Sequence, residues 1–123
     1  MKLAINLHLG LLAESFLEAL AFSQKLGFDT KTFVETINKT PIGNYISQRK
    51  SPKIVVGNFE PAFSLNNLFK DLKLINTQIT KTGAILPMTK VAMEEYSRAV
   101  RNGDGQKDFS VIALEIQRKN GLI

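Results

Sequence analysis

The chain contains no cysteine in its 123 residues. That excludes disulfide frameworks, thiolate zinc sites and cysteine nucleophiles, and it fits a reducing compartment. Histidine occurs once, as His8. It lies in an apolar run with no carboxylate near it in sequence, so a buried, satisfied imidazole is expected rather than a catalytic one. G-x-G-x-x-G, a P-loop and H-E-x-x-H are all missing, and no metal site is expected. The apolar run over residues 3–12 has one lysine before it and no small-x-small cleavage site before Glu14 and Glu18. It is also too short to span a bilayer. It reads as a buried helix in a cytoplasmic protein that makes no membrane contact.

Hydrophobic residues at 44% and charged residues at 22% are globular proportions, and the length fits one domain over residues 1–123. A chain of this size buries roughly two-thirds of its unfolded surface. The formal charge of +5 comes from sixteen scattered Lys and Arg residues, with one short knot at Arg49, Lys50 and Lys53. Without a basic stripe interleaved with aromatics, a solvated surface outweighs nucleic-acid binding.

Periodicity favours helix nearly throughout, and an all-α domain of five or six helices is expected. The first runs from Lys2 to about Leu26, with Gly27 placed to end it. No capping residue precedes it and its apolar pattern is in full stride by residue 3, so this helix is expected to continue from upstream sequence. Glu14, Glu18 and Lys25 form its polar stripe, and the rest is apolar enough to be central or covered by a partner. Asp29 or Thr30 caps a second helix, carrying Phe33, Val34 and Ile37 inward and ending near Thr40, before Pro41. Tyr45 and Ile46 mark a short third helix. Ile54, Val55 and Val56 could form a strand, but none is available to pair with, so coil or a helical turn is expected. Ser64 caps a helix to about Thr82 that buries Leu68, Leu72, Ile75 and Ile79 and closes at Gly83. Pro87 opens the next, with Val91, Ala92, Tyr96 and Val100 inward, up to the turn at residues 102–105. Asp108 caps the last, burying Phe109, Ile112 and Ile116, and Gly121 stops it.

Two polar faces stand out. Lys2 and Asn6 are neighbours one turn apart, and Gly10 and Ala13 extend that side with small residues that allow close approach of a backbone or ligand. Asn67, Lys70, Asp71 and Leu74 share a face placed opposite the core stripe of their helix. Spacing alone favours solvated polar surface in both cases.

Taken together, Lys2-x-x-x-Asn6 before a long apolar helix, the segment Phe59-Glu60-Pro61-Ala62-Phe63-Ser64, Lys70-Asp71-Leu72, and Asp108-Phe109-Ser110 after a Gly-rich turn resemble the β-hydroxyacid dehydrogenase family. That family includes 3-hydroxyisobutyrate dehydrogenases and glyoxylate/succinic semialdehyde reductases. The resemblance covers essentially the whole chain, in order. It implies a C-terminal helical domain of the kind that follows 6-phosphogluconate dehydrogenase's dinucleotide-binding domain, with the N-terminal Rossmann domain absent. The family's motif G-x-x-x-K-x-x-x-N is represented here only from Lys2 onward.

The resemblance further implies NAD or NADP as cofactor in the full-length protein, a small hydroxyacid or semialdehyde substrate, and a homodimer or homotetramer. Lys2 is implied as general acid in carbonyl reduction and general base in alcohol oxidation. Asn6, Phe63 and Asp71 are implied at the substrate, and Lys70 at the cofactor. The chain alone is expected to be inactive. The rival reading is a non-catalytic helical module that serves assembly.

Overall fold

In a computed structural model describing all 123 residues, α1 spans Lys2–Lys25, α2 Thr30–Ile37, α3 Ser51–Val55, α4 Leu65–Thr82, α5 Pro87–Ala99 and α6 Ile112–Lys119. No strand forms. Local chemistry sets the end of α1 and both ends of α4. Beyond Leu26, Gly27 takes φ +98°, and the amides of Gly27 and Phe28 donate back to the carbonyls of Gln24 and Ser23. This pair of reversed bonds caps α1 and needs the left-handed backbone that glycine tolerates.

At the N-terminus of α4, Ser64 Oγ accepts from the Asn67 amide at 3.2 Å. The amides of Leu65 and Asn66, which have no acceptor within the helix, donate to the carbonyls of Lys107 and Gly105, both at 2.8 Å. Four amides at a helix start lack intrahelical partners, and here a distant loop satisfies two of them. A Cβ at Gly105 would meet the Asn66 side-chain amide as it stands, so a larger residue there would have to displace that side chain.

The shorter elements differ in detail from their expected bounds. α2 starts after Asp29, whose carboxylate accepts from the Thr32 amide at 2.7 Å, but it stops at Ile37 rather than Thr40. Asn38 then turns its amide onto the Ser47 carbonyl at 2.8 Å, which ties the next turn down. Residues Ile46–Lys50 form a wide π-helical turn that continues into α3. Ile54 is buried there while Val55 and Val56 are exposed, so this stretch is a helical turn. α5 passes into a second π-helical turn over Val100–Asp104, and a 3₁₀ turn over Phe109–Val111 leads into α6.

α1 is the central element and packs on α2, α4, α5 and α6. It alone is long and apolar enough to cross a membrane by length and composition; Phe16, Leu17 and Leu20 are buried in the core, while Ile5 and Phe22 are exposed. Leu17 and Leu20 pack with Leu68 and Leu72 of α4, Tyr96 of α5 and Ile112 of α6, all nearly inaccessible. Tyr96 Oη donates to the Gly10 carbonyl at 3.0 Å, so the close approach that Gly10 permits is taken by α5. Three expected placements are corrected. His8 is exposed, because the fully buried arc of α1 begins only at Gly10. Glu14 is buried rather than part of the solvated stripe, because it lies on that arc between Gly10 and Leu17. Val91 is exposed, on the flank of α5 beside an open cleft.

Candidate functional site

The packing of α4 on α1 joins two of the sequence-derived site residues. Asn6 Nδ2 donates to Asp71 Oδ2 at 2.6 Å, across 65 positions of sequence. Asp71 is 3% exposed, so its placement on a solvated face is corrected. It stands one turn from both Leu68 and Ile75, at the edge of the buried stripe, and α1 covers that edge. A carboxylate accepts hydrogen bonds and does not donate them, so Asp71 fixes which way the Asn6 amide faces. Nδ2 is engaged, which leaves Oδ1 as the acceptor of this amide.

Lys2 precedes Asn6 by one turn and is exposed at the first turn of α1. Lys70 is exposed on α4, turned about 100° from Asp71 around the helix. It therefore takes no part in the Asn6–Asp71 contact. Asn67 and Leu74 are exposed as well. Neither Asn6 nor Asp71 lines the clefts of about 300, 430, 240 and 190 Å³.

Phe63 belongs to a different cluster. α4 rises roughly 9 Å from Leu65 to Asp71, which separates the loop before α4 from the Asn6 contact. The Phe63 ring is half-buried and meets Phe109 edge-on, with centroids 6.1 Å apart. Beneath them lies an ion pair that sequence reasoning missed. Lys50 Nζ donates to Asp108 Oδ1 at 2.9 Å, with both side chains nearly inaccessible. The same oxygen accepts from the Ala62 and Phe63 amides, at 3.1 and 3.3 Å. Ser110 supplies its amide and hydroxyl to Oδ2, at 3.1 and 2.6 Å. Lys50 also sits 4.8 Å from the centroid of the Phe109 ring.

Burial alone would raise the Asp108 carboxyl. The hydrogen bonds from Ser110 and Lys50, with the Ser110 and Phe63 amides, outweigh it and hold the group below the usual carboxylate range. The Arg49–Lys50–Lys53 knot is thus not a surface cluster, since its middle lysine turns inward. Nothing in local sequence announces this pairing, whose members lie 58 positions apart. The one signal was the Asp108-Phe109-Ser110 motif itself, which local reasoning reads only as a helix cap.

A buried carboxylate tying the 59–64 loop to the start of the last helix, and an Asn–Asp contact between the first and fourth helices, give structural content to all four motifs. Compared with known families, residues 1–115 match the family described as NAD-binding of NADP-dependent 3-hydroxyisobutyrate dehydrogenase. The chain belongs to this family. Glyoxylate/succinic semialdehyde reductase 2 of Arabidopsis thaliana is 30% identical over 91% of the chain and 31% of its own length. Cytokine-like nuclear factor N-PAC of Aedes aegypti is 29% identical over 91% of the chain and 20% of its own. The fold is that of the solved Mycobacterium tuberculosis 3-hydroxyisobutyrate dehydrogenase with L-serine. The TM-score is 0.85 at 22% identity, over 94% of this chain and 42% of that one. The chain therefore spans about a third of the length of the first curated relatives it matches, which are covered over 31%, 39% and 36%. The 3-hydroxyisobutyrate dehydrogenase family matches the sequence-derived assignment, and the matched part of its solved members shares the all-helical architecture.

Proposed function

We propose that this chain is the helical part of an NAD(P)-dependent oxidoreductase that interconverts a small β-hydroxyacid and its semialdehyde, with Lys2 as general acid/base. The observation that carries the reading is the hydrogen bond between Asn6 and Asp71, one turn from Lys2. A solvated polar face has no need of a buried aspartate aimed at an asparagine on another helix. An oriented amide beside an exposed lysine is what a positioned proton donor requires. The reading is further supported by relatives whose names describe reductases and dehydrogenases of such substrates. They are about three times longer than this chain, consistent with a separate dinucleotide-binding domain in the whole enzyme.

When bound, the nicotinamide supplies or accepts the hydride, a task for which no side chain is equipped. The exposed ammonium of Lys70, one position from Asp71, has the chemistry to meet a phosphate or ribose of such a cofactor, so the residues present fit it. In reduction, the carbonyl oxygen gains negative charge as the new C–H bond forms. The Lys2 ammonium stabilises that charge and delivers the proton, leaving a neutral amine. In oxidation the neutral amine takes the hydroxyl proton. Asn6 Oδ1, the acceptor left by the Asp71 contact, accepts from the Lys2 ammonium or the substrate hydroxyl and sets the line of transfer. Phe63 contributes an apolar wall from the neighbouring loop, which the Asp108 cluster holds in place.

Replacing Lys2 by alanine in the full-length enzyme is expected to lower turnover by about 10²–10⁴-fold while leaving cofactor affinity within a few-fold. Near-normal turnover in that variant contradicts the assignment. The second reading, a non-catalytic assembly module, is favoured by the similarity to a protein named as a nuclear factor. It places no demand on Lys2, so the same experiment separates the two. A homodimer or homotetramer is proposed under either reading, with sedimentation equilibrium as its check.

A further inference from the structure

About 12 Å along α1 from Asn6, at 1.5 Å per residue, the surface opens into a second feature. A cleft of about 300 Å³ lies between α1 and α5. It is lined by the apolar side chains of Leu11, Met88 and Val91 and by the carboxyl groups of Glu14, Glu18 and Glu95. Met88 and Val91 are 66% and 61% exposed, so this apolar lining is open to solvent.

The carboxyl groups are short of donors. Glu14 is 9% exposed, and its Oε1 is buried without a hydrogen-bond partner. Glu95 Oε1 is held by Arg98 and Lys119, but Oε2 is buried with no partner. Buried polar atoms are almost always paired, so two such unpartnered oxygens beside one cleft mark a place for a donor and, once Glu14 is ionised, for positive charge. An anion has the wrong sign. A metal ion does not fit, since no three carboxylates of the domain converge to hold one. An alkylammonium satisfies both kinds of lining, with three donors on a compact charge and a stem that covers apolar surface.

We infer that the cleft between α1 and α5 binds a small primary aliphatic amine as its ammonium, with the head at Glu14 and Glu95 and the stem against Leu11, Met88 and Val91. The charged and titratable groups facing Glu14 are Glu18 on α1, Glu95 and Tyr96 on α5, and Lys119 on α6. Tyr96 is committed to the Gly10 carbonyl and Lys119 to Glu95, so neither satisfies Glu14. Burial, then the charges of Glu95 and Glu18, raise the Glu14 carboxyl to about 8 against the opposing effect of Lys119. Near neutrality Glu14 holds a proton that the arriving ammonium must displace. Binding therefore releases a proton and strengthens with pH over the range in which alkylammonium stays charged.

The test is titration of n-butylammonium into the chain, followed by amide NMR shifts and by calorimetry in two buffers of different ionisation enthalpy. Expected are saturable shifts confined to α1 and α5, proton release at neutral pH, and affinity about tenfold higher at pH 9 than at pH 7. Glu14→Gln keeps the shape, removes the pH dependence and weakens binding at pH 9 about tenfold or more. Because Val91 is exposed, Val91→Trp fills the cleft without disturbing the core and abolishes binding. Absence of saturation, equal shifts from potassium ion, or unchanged affinity in Glu14→Gln overturns the inference. So does self-association that depends on Glu14 without amine binding, which assigns the cleft to a second copy of the chain.

Discussion

Asp71 and Asp108 are almost equally buried, at 3% and 2% exposure, yet they sit in opposite surroundings. Asp108 accepts five hydrogen bonds, from Lys50, two loop amides and two groups of Ser110. A carboxylate has about four lone-pair sites, so nothing further can be received there. Asp71 accepts one protein hydrogen bond, from Asn6. The saturated group behaves as a joint that fixes the 59–64 loop against the start of the last helix. The unsaturated one behaves as an orienting element with capacity to spare, beside an exposed lysine. Burial by itself does not distinguish a structural acid from a functional one, whereas the count of donors around it does.

The contrast breaks first at Asp108. Asp108→Ala leaves Lys50 buried and unpaired, and a loss of about 3–5 kcal/mol is expected in urea unfolding. A loss below about 1 kcal/mol would show that the joint is not structural. Because the Asp108 carboxyl is held low in the folded chain, its contribution is complete above its unfolded pKa. It is lost as pH falls below about 4 and through the folded value, so wild-type stability drops on the acid side.

Glu14 supplies the opposite sign and a smaller effect. Its unfolded carboxyl loses its proton near 4.5, while the folded one keeps it to about 8. Between those values the folded state binds more protons, so stability declines as pH rises. Glu14→Gln is expected to flatten that decline and to be more stable than wild type at pH 8, on the order of 1–3 kcal/mol. Thermal melts across this range provide the check, and a parallel decline in both proteins would exclude Glu14 as its source. Asp71→Asn should have the least effect on stability, about 1 kcal/mol. It also frees the Asn6 amide to turn, and roughly a tenfold loss of turnover in the full-length enzyme is expected, equivalent to one hydrogen bond to a charged group. Stability loss without activity loss there would move Asp71 into the same category as Asp108.

Much of the architecture was legible because punctuation residues act locally. Gly27, Ser64, Gly83 and Pro87 set the ends of α1, α4 and α5 where their backbone and capping chemistry requires. Of the candidate site, Lys2 and Asn6 were readable as a pair, since one turn of helix makes them neighbours. Their link to Asp71 was not. Asp71 lies at the border between the polar and apolar arcs of α4, and only the packed position of α1 decides which arc claims it. α1 hid more still: with apolar residues almost all round, its sequence has no clear period from which to read that His8 faces out and Glu14 faces in. The ion pair of Lys50 with Asp108 depends on three chain segments meeting and leaves no local trace.

That meeting has a kinetic consequence. The Lys50–Asp108 contact closes a loop of 58 residues, and both partners must leave water to make it. Contacts of such separation carry a large closure entropy before they return any stability, and they form after the more local helix pairs. The joint is therefore expected to be unformed at the folding barrier, with a φ-value near zero. Asp108→Ala should raise the unfolding rate and leave the folding rate nearly unchanged, a split that a denaturant chevron resolves. On this view the lysine–aspartate joint acts chiefly as a latch on the finished domain, setting how long it stays folded rather than how quickly it arrives.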